Sequence, residues 1–127
     1  MRFEHFALNV KDSRATAAWY VEHCGLRVAR ASNETPYVHF LADGEGRVMI
    51  ELYSNPAAPV PDYSSQHPLS FHFALAVEGL SELRDRLVAG GATLVEDKTL
   101  ADGSRIAMVR DPWGIPIQLC SRAVPLV

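Results

Sequence analysis

Hydrophobic and polar residues alternate from Phe3 to Val10, with Phe6, Leu8 and Val10 on one side and His5, Ala7 and Asn9 on the other; this predicts a strand. Asp12 or Ser13 can cap a helix running to about Cys24, with Ala15, Ala18 and Trp19 at helical spacing and Gly25 placed as its C-cap. Strands are predicted at about Arg27–Ala31, Tyr37–Leu41 and Arg47–Tyr53, the last two joined through the turn Asp43-Gly44-Glu45-Gly46. The order then repeats. A strand at Leu69–Val77 precedes a helix from Leu80 to Ala89, with Leu80, Leu83 and Leu87 at helical spacing and Gly90-Gly91 behind it. Strands follow near Thr93–Asp97, Arg105–Arg110 and Pro116–Ser121, the last entered through Asp111-Pro112-Trp113-Gly114.

The repetition extends to the letters. His5-Phe6-Ala7-Leu8-Asn9-Val10 returns as His72-Phe73-Ala74-Leu75-Ala76-Val77, five of six identical, an offset of 67 residues (5 to 72). The same offset carries Ile50-Glu51-Leu52 onto Ile117-Gln118-Leu119. A match at both ends of a repeat implies two related modules. Residues 55–68 hold four of the eight prolines and little apolar periodicity, and read as the linker. The expected organisation is a single domain over 1–127: module one at 1–54, module two at 69–122, and an apolar tail, 123–127, that packs against another surface.

Composition narrows the function classes. A chain of 127 residues that is 48% hydrophobic can bury a core. A net charge of −3 argues against a nucleic-acid partner, which would require a basic face. No apolar run has the length of a membrane span and the first residues carry no secretory signal pattern, so a cytoplasmic setting is expected. Two cysteines, Cys24 and Cys120, form neither a disulfide framework nor a zinc knuckle.

The candidate chemistry comes from strand alternation. Ile50 and Leu52 flank Glu51, Phe71 and Phe73 flank His72, and Ile117 and Leu119 flank Gln118. If helices cover the apolar faces, His5, Glu51, His72 and Gln118 all lie on the uncovered ones, and a one-residue slip would bury every one of them in the core. A carboxylate within a hydrophobic strand needs a partner. Arg47 and Arg105 are candidates; a divalent metal fits the two imidazoles and amide oxygen at the matching positions, and the donor set admits Zn, Ni, Co, Mn or Fe. Satisfied polar residues lining a metal-free pocket are the alternative.

Paired βαβββ modules with a metal-capable residue on the first and last strand of each resemble the vicinal oxygen chelate superfamily, over about residues 1–122. The signatures are His5 to Val10, Trp19-Tyr20 before Gly25-Leu26, and Asp111 to Leu119. That superfamily includes glyoxalase I, fosfomycin-resistance transferases, methylmalonyl-CoA epimerase, extradiol dioxygenases and the metal-free bleomycin-resistance proteins. The resemblance implies an α+β fold in which eight strands make an incurved cup around one divalent metal. It also implies a homodimer, with modules pairing within or between chains.

In metal-dependent glyoxalases the position matching Gln118 is usually a glutamate that is both ligand and base. An amide oxygen can bind a metal but takes no proton near neutrality, which leaves Glu51 as the candidate base. The resulting expectation is a metal-dependent lyase or isomerase holding two neighbouring oxygens of a small substrate and stabilising an enediolate-like intermediate. Two alternatives use the same face. One is a metal-free protein that sequesters a planar small molecule, as bleomycin-resistance proteins do. The other is an extradiol-type dioxygenase using His5, His72 and Glu51 as two histidines and a carboxylate. His39, Tyr53 and Cys120 are read as lining the substrate pocket, the last two because they sit two residues beyond a proposed ligand.

Overall fold

The computed structural model describes all of residues 1–127 and divides them into two compact units, Met1–Pro61 and Asp62–Val127. Each is one βαβββ module. The first contains β1 (Phe6–Asn9), α1 (Ser13–Cys24), β2 (Arg27–Ala31), β3 (His39–Ala42) and β4 (Val48–Tyr53). The second contains β5 (Phe73–Ala76), α2 (Leu80–Ala89), β6 (Thr93–Thr99), β7 (Arg105–Arg110) and β8 (Pro116–Ser121), preceded by a 3-10 turn at Tyr63–Ser65 that the sequence reading did not anticipate. The sheet orders are β1-β4-β3-β2 and β5-β8-β7-β6. In each, the first strand runs parallel to the last, at the same register 67 residues apart: Phe6 opposite Ile50, Phe73 opposite Ile117.

The hydrophobic face of each sheet carries its helix. α1 lies across β2, β3 and β4, and α2 across β6, β7 and β8. Leu41, Ile50 and Leu52 are fully buried in the first unit, as are Leu87, Ile117 and Leu119 in the second. The buried stripe of α1 differs from the expected one: it is Ser13, Thr16, Ala17 and Tyr20, with Trp19, while Ala15 and Ala18 are exposed. Two hydroxyls can occupy that stripe because both are satisfied internally, Ser13 Oγ donating to the Tyr37 carbonyl (2.7 Å) and Thr16 Oγ to that of Asp12 (2.7 Å). Asp12 is the cap, its Oδ1 accepting the Arg14 and Ala15 amides at 3.1 Å.

Residues 55–68 are tied down at both ends. Asn9 donates through Nδ2 to the carbonyls of Asn55 and Ala58 and accepts the Asn55 amide, fixing 55–58 to the first unit. Arg110 donates to the carbonyls of Tyr63, Gly114 and Gln66 (3.0, 2.9 and 2.6 Å), fixing 63–66 to the second. The turn into β8 is equally specified. Buried Asp111 accepts the Trp113 and Ile115 amides at 2.9 Å, and Gly114 has φ +89°. A Cβ on Gly114 would meet the Ser64 backbone nitrogen at 2.7 Å, so only glycine fits. The tail is exposed, with Val124 and Leu126 on the surface, and no helix is long and apolar enough to cross a membrane.

Candidate functional site

In the first unit the register places Ala7 opposite Glu51. His5 lies two residues before Ala7, just ahead of β1, so its side chain shares the face of Glu51. The two meet: His5 Nε2 is 3.3 Å from Glu51 Oε2, with both side chains largely withdrawn from solvent at 27% and 19% exposure. Phe40 lies opposite Glu51 on β3, and its ring meets the His5 ring edge-on, with centroids 5.5 Å apart. Neither arginine proposed for Glu51 reaches it. Arg47 pairs with Asp43 and Glu45 in the β3–β4 turn (3.1 Å each), and Arg105 pairs with Asp97. His5 is the basic side chain that reaches Glu51.

The second unit builds the same face with different chemistry. Ala74 lies opposite Gln118, so His72, just ahead of β5, shares the face of Gln118. His72 Nδ1 is 2.8 Å from the Pro68 carbonyl oxygen. A carbonyl only accepts, so Nδ1 carries the proton and Nε2 is the ring nitrogen left for another partner. Gln118 Oε1 accepts a hydrogen bond from the Cys120 thiol at 3.2 Å. Burial pushes that thiol's pKa up, against a smaller opposing pull from Arg122, so the sulfur holds its proton and remains a donor. Met108 lies opposite Gln118, as Phe40 lies opposite Glu51.

Tyr53, Cys120 and His39 are the residues expected to line a pocket. Tyr53 and Cys120 keep strand parity with Glu51 and Gln118 respectively. His39 does not. It pairs with Leu52 in register, on the helix-covered face, and Nδ1 donates to the Tyr37 carbonyl at 2.8 Å. The expectation for it is corrected. Tyr37 has φ +54°, so β3 starts only at His39; the signal for the face was Leu41, a fully buried core residue of the same parity. Phe40 and Met108 were missed because their neighbours are set by cross-strand register. A separate cavity of about 360 Å³ in the first unit, lined by Lys11, Asp12, Arg14, Thr35, Tyr37, Ser54 and Pro56, includes none of the four candidate ligands.

The His5–Glu51 pair fits a metal. Two donors each about 2.0–2.2 Å from one ion, at octahedral or tetrahedral angles, stand roughly 3.0–3.5 Å apart, which brackets the 3.3 Å found. His72 fits as well, with its distal nitrogen held by a backbone carbonyl. No three His, Cys, Asp or Glu side chains are gathered as an ion site. Taken by itself, the first unit presents an imidazole against a carboxylate, and the second an imidazole and an amide on one face.

The model of the glyoxalase/bleomycin resistance protein/dioxygenase superfamily matches residues 2–119. Lactoylglutathione lyase of Salmonella typhimurium is 29% identical over 126 residues, covering 94% of this chain and 91% of that one. Among solved structures, a glyoxalase family protein from Bacillus cereus superposes with TM-score 0.78 at 16% identity, covering 95% and 93% of the two chains. A glyoxalase I mutant from Zea mays superposes with TM-score 0.76 at 25% identity, covering 97% of this chain and 46% of that one.

Proposed function

Because the chain belongs to the glyoxalase/bleomycin resistance protein/dioxygenase superfamily, we propose that it is a divalent-metal-dependent lyase or isomerase acting on a small substrate with neighbouring oxygens. One observation carries the reading. Glu51 is a strand carboxylate with no arginine or lysine on it, and its oxygen converges with an imidazole nitrogen at metal-ligand spacing. The proposed ligands are His5 and Glu51 from the first module, His72 and Gln118 from the second. The likeness to lactoylglutathione lyase supports a thiohemiacetal of a 2-oxoaldehyde as the first substrate to test.

A bound divalent ion would supply Lewis-acid stabilisation of negative charge developing on the substrate oxygens. The side chains account for the rest. Glu51 takes the proton from the hydroxyl-bearing carbon at a carboxylate oxygen and returns it to the neighbouring carbonyl carbon, while the hydroxyl proton passes to the former carbonyl oxygen, so that the thiohemiacetal becomes a 2-hydroxy thioester. Gln118 has no part in that transfer: its carboxamide oxygen accepts hydrogen bonds and holds no proton. The Cys120 thiol fixes which end of that carboxamide is presented, since S–H donates to Oε1. Phe40, opposite Glu51 and edge-on to His5, supplies an apolar wall that keeps water from the proton in transit.

The test is metal content by mass spectrometry, on protein purified without chelator or histidine tag, beside Glu51→Ala. About one ion per chain in the wild type, lost in the variant, is expected. A wild type that holds none, and takes up none on dialysis against zinc, nickel, cobalt, manganese or anaerobic ferrous iron, would overturn the reading in favour of a metal-free binding protein.

A further inference from the structure

His5 Nδ1 is the single buried side-chain nitrogen or oxygen with no hydrogen bond. It lies 3.3 Å from Glu4 Oε2, while the other ring nitrogen, Nε2, lies 3.3 Å from Glu51 Oε2. An imidazole that gives Nε2 to a cation keeps one N–H, and that proton is on Nδ1, the nitrogen facing Glu4. In the second module the same ring position is held by a backbone group, since His72 donates from Nδ1 to Pro68.

Resting on the metal-site reading above, we infer that Glu4 is a positioning residue for His5: its carboxylate accepts the Nδ1–H and fixes the ring with Nε2 towards the ion. The Glu4 side chain is 79% exposed and already within 3.3 Å, so rotation about its own bonds completes the hydrogen bond without moving the backbone. An acceptor behind a ligating imidazole fixes its tautomer and ring orientation. The two histidines of the repeat are thereby held by different groups, His5 by a side-chain carboxylate and His72 by a backbone carbonyl.

Zinc affinity, measured in competition with a chromophoric chelator, tests this on wild type, Glu4→Ala, Glu4→Gln and Glu34→Ala, the last a control for losing one exposed carboxylate in the same unit. The His5 ring nitrogens are read in parallel by long-range proton–nitrogen correlation, with and without zinc. Glu4→Ala is expected to weaken zinc about 10–100-fold; Glu4→Gln, which keeps an oxygen acceptor, should lose less, and Glu34→Ala should stay within about twofold. In the zinc-loaded wild type His5 should show a protonated, hydrogen-bonded Nδ1 whose shift changes in Glu4→Ala. Unchanged affinity and unchanged nitrogen shifts in Glu4→Ala overturn the role of Glu4 and leave the metal site standing. An equal loss in Glu34→Ala reduces the effect to net charge and also overturns it. No zinc uptake by the wild type overturns the metal site, and the role of Glu4 with it.

Discussion

The two modules share a backbone plan and differ in the chemistry of one face. Strand order, the parallel pairing of first and last strands, and the register of that pairing are the same in both. Ile50 and Ile117 sit at matching positions and both are fully buried. On the opposite face the matching residues have parted. The first module sets a histidine against a carboxylate at 3.3 Å, whereas the second turns its histidine to a backbone carbonyl and its glutamine to a thiol. A repeat keeps what its core demands, because a slip or a cavity is costly there. It is free to change the polar positions, where only the site selects.

The largest expected effects come from moving the carboxylate across the repeat. Glu51→Gln should lower kcat/KM on a thiohemiacetal substrate by about 10²–10⁴-fold, the usual span for loss of a general base. The double variant Glu51→Gln/Gln118→Glu should recover most of that loss, with metal content as a parallel readout, if the two positions are chemically interchangeable. A double variant as inactive as the single one would show that the likeness of the modules stops at the backbone. The cores should instead respond alike. Ile50→Ala and Ile117→Ala should each cost about 2–5 kcal/mol of stability in urea unfolding, and tolerance at one position alone would break the equivalence.

What the sequence disclosed follows the same division. Helix ends were legible because caps are local: Asp12 accepts amides and Gly25 takes the left-handed conformation, φ +70°. The face shared by His5 and Glu51 was legible from period-2 alternation beside a duplicated phrase. The buried stripe of α1 was not, because Ser13 and Thr16 read as surface residues until their hydroxyl partners are known. Nor was the face of His39, which depends on where β3 begins after Tyr37. Phe40 and Met108 needed cross-strand register, and the part played by Glu4 needed the orphaned ring nitrogen beside it. Local chemistry and period survive in one dimension; neighbours brought by the fold do not.

The smallest effect lies where the second module has what the first lacks. Asp97 on β6 accepts hydrogen bonds from Arg84 on α2 and from Arg105 on β7 (3.1 and 3.2 Å for the latter), and Arg105 also donates to Ser81 on α2 at 2.7 Å. One repeat earlier, Arg84 corresponds to buried Ala17 and Asp97 to Arg30, so the first module cannot form this tie. The hydrogen bond from Arg84, reinforced by Arg105, holds the Asp97 carboxyl below its ordinary range against the opposing pull of burial. The folded state therefore takes up this proton at a lower pH than the unfolded chain does. Its stabilisation is whole above the ordinary carboxylate pKa of about 4 and is lost as pH falls from there through the lower folded value. Asp43, Asp62 and Asp102 are also held low by hydrogen bonds within their turns, but wild type and an Asp97 variant share them, so they drop out of a comparison between the two. Asp97→Asn should then cost about 1 kcal/mol near neutral pH, the upper end for a solvent-screened ion pair. The gap from wild type should close in urea unfolding as the pH is taken below about 4. A gap that stays constant down the acid limb would mean that the Asp97 tie contributes packing rather than charge, and the electrostatic difference between the modules would then be confined to the face that carries Glu51.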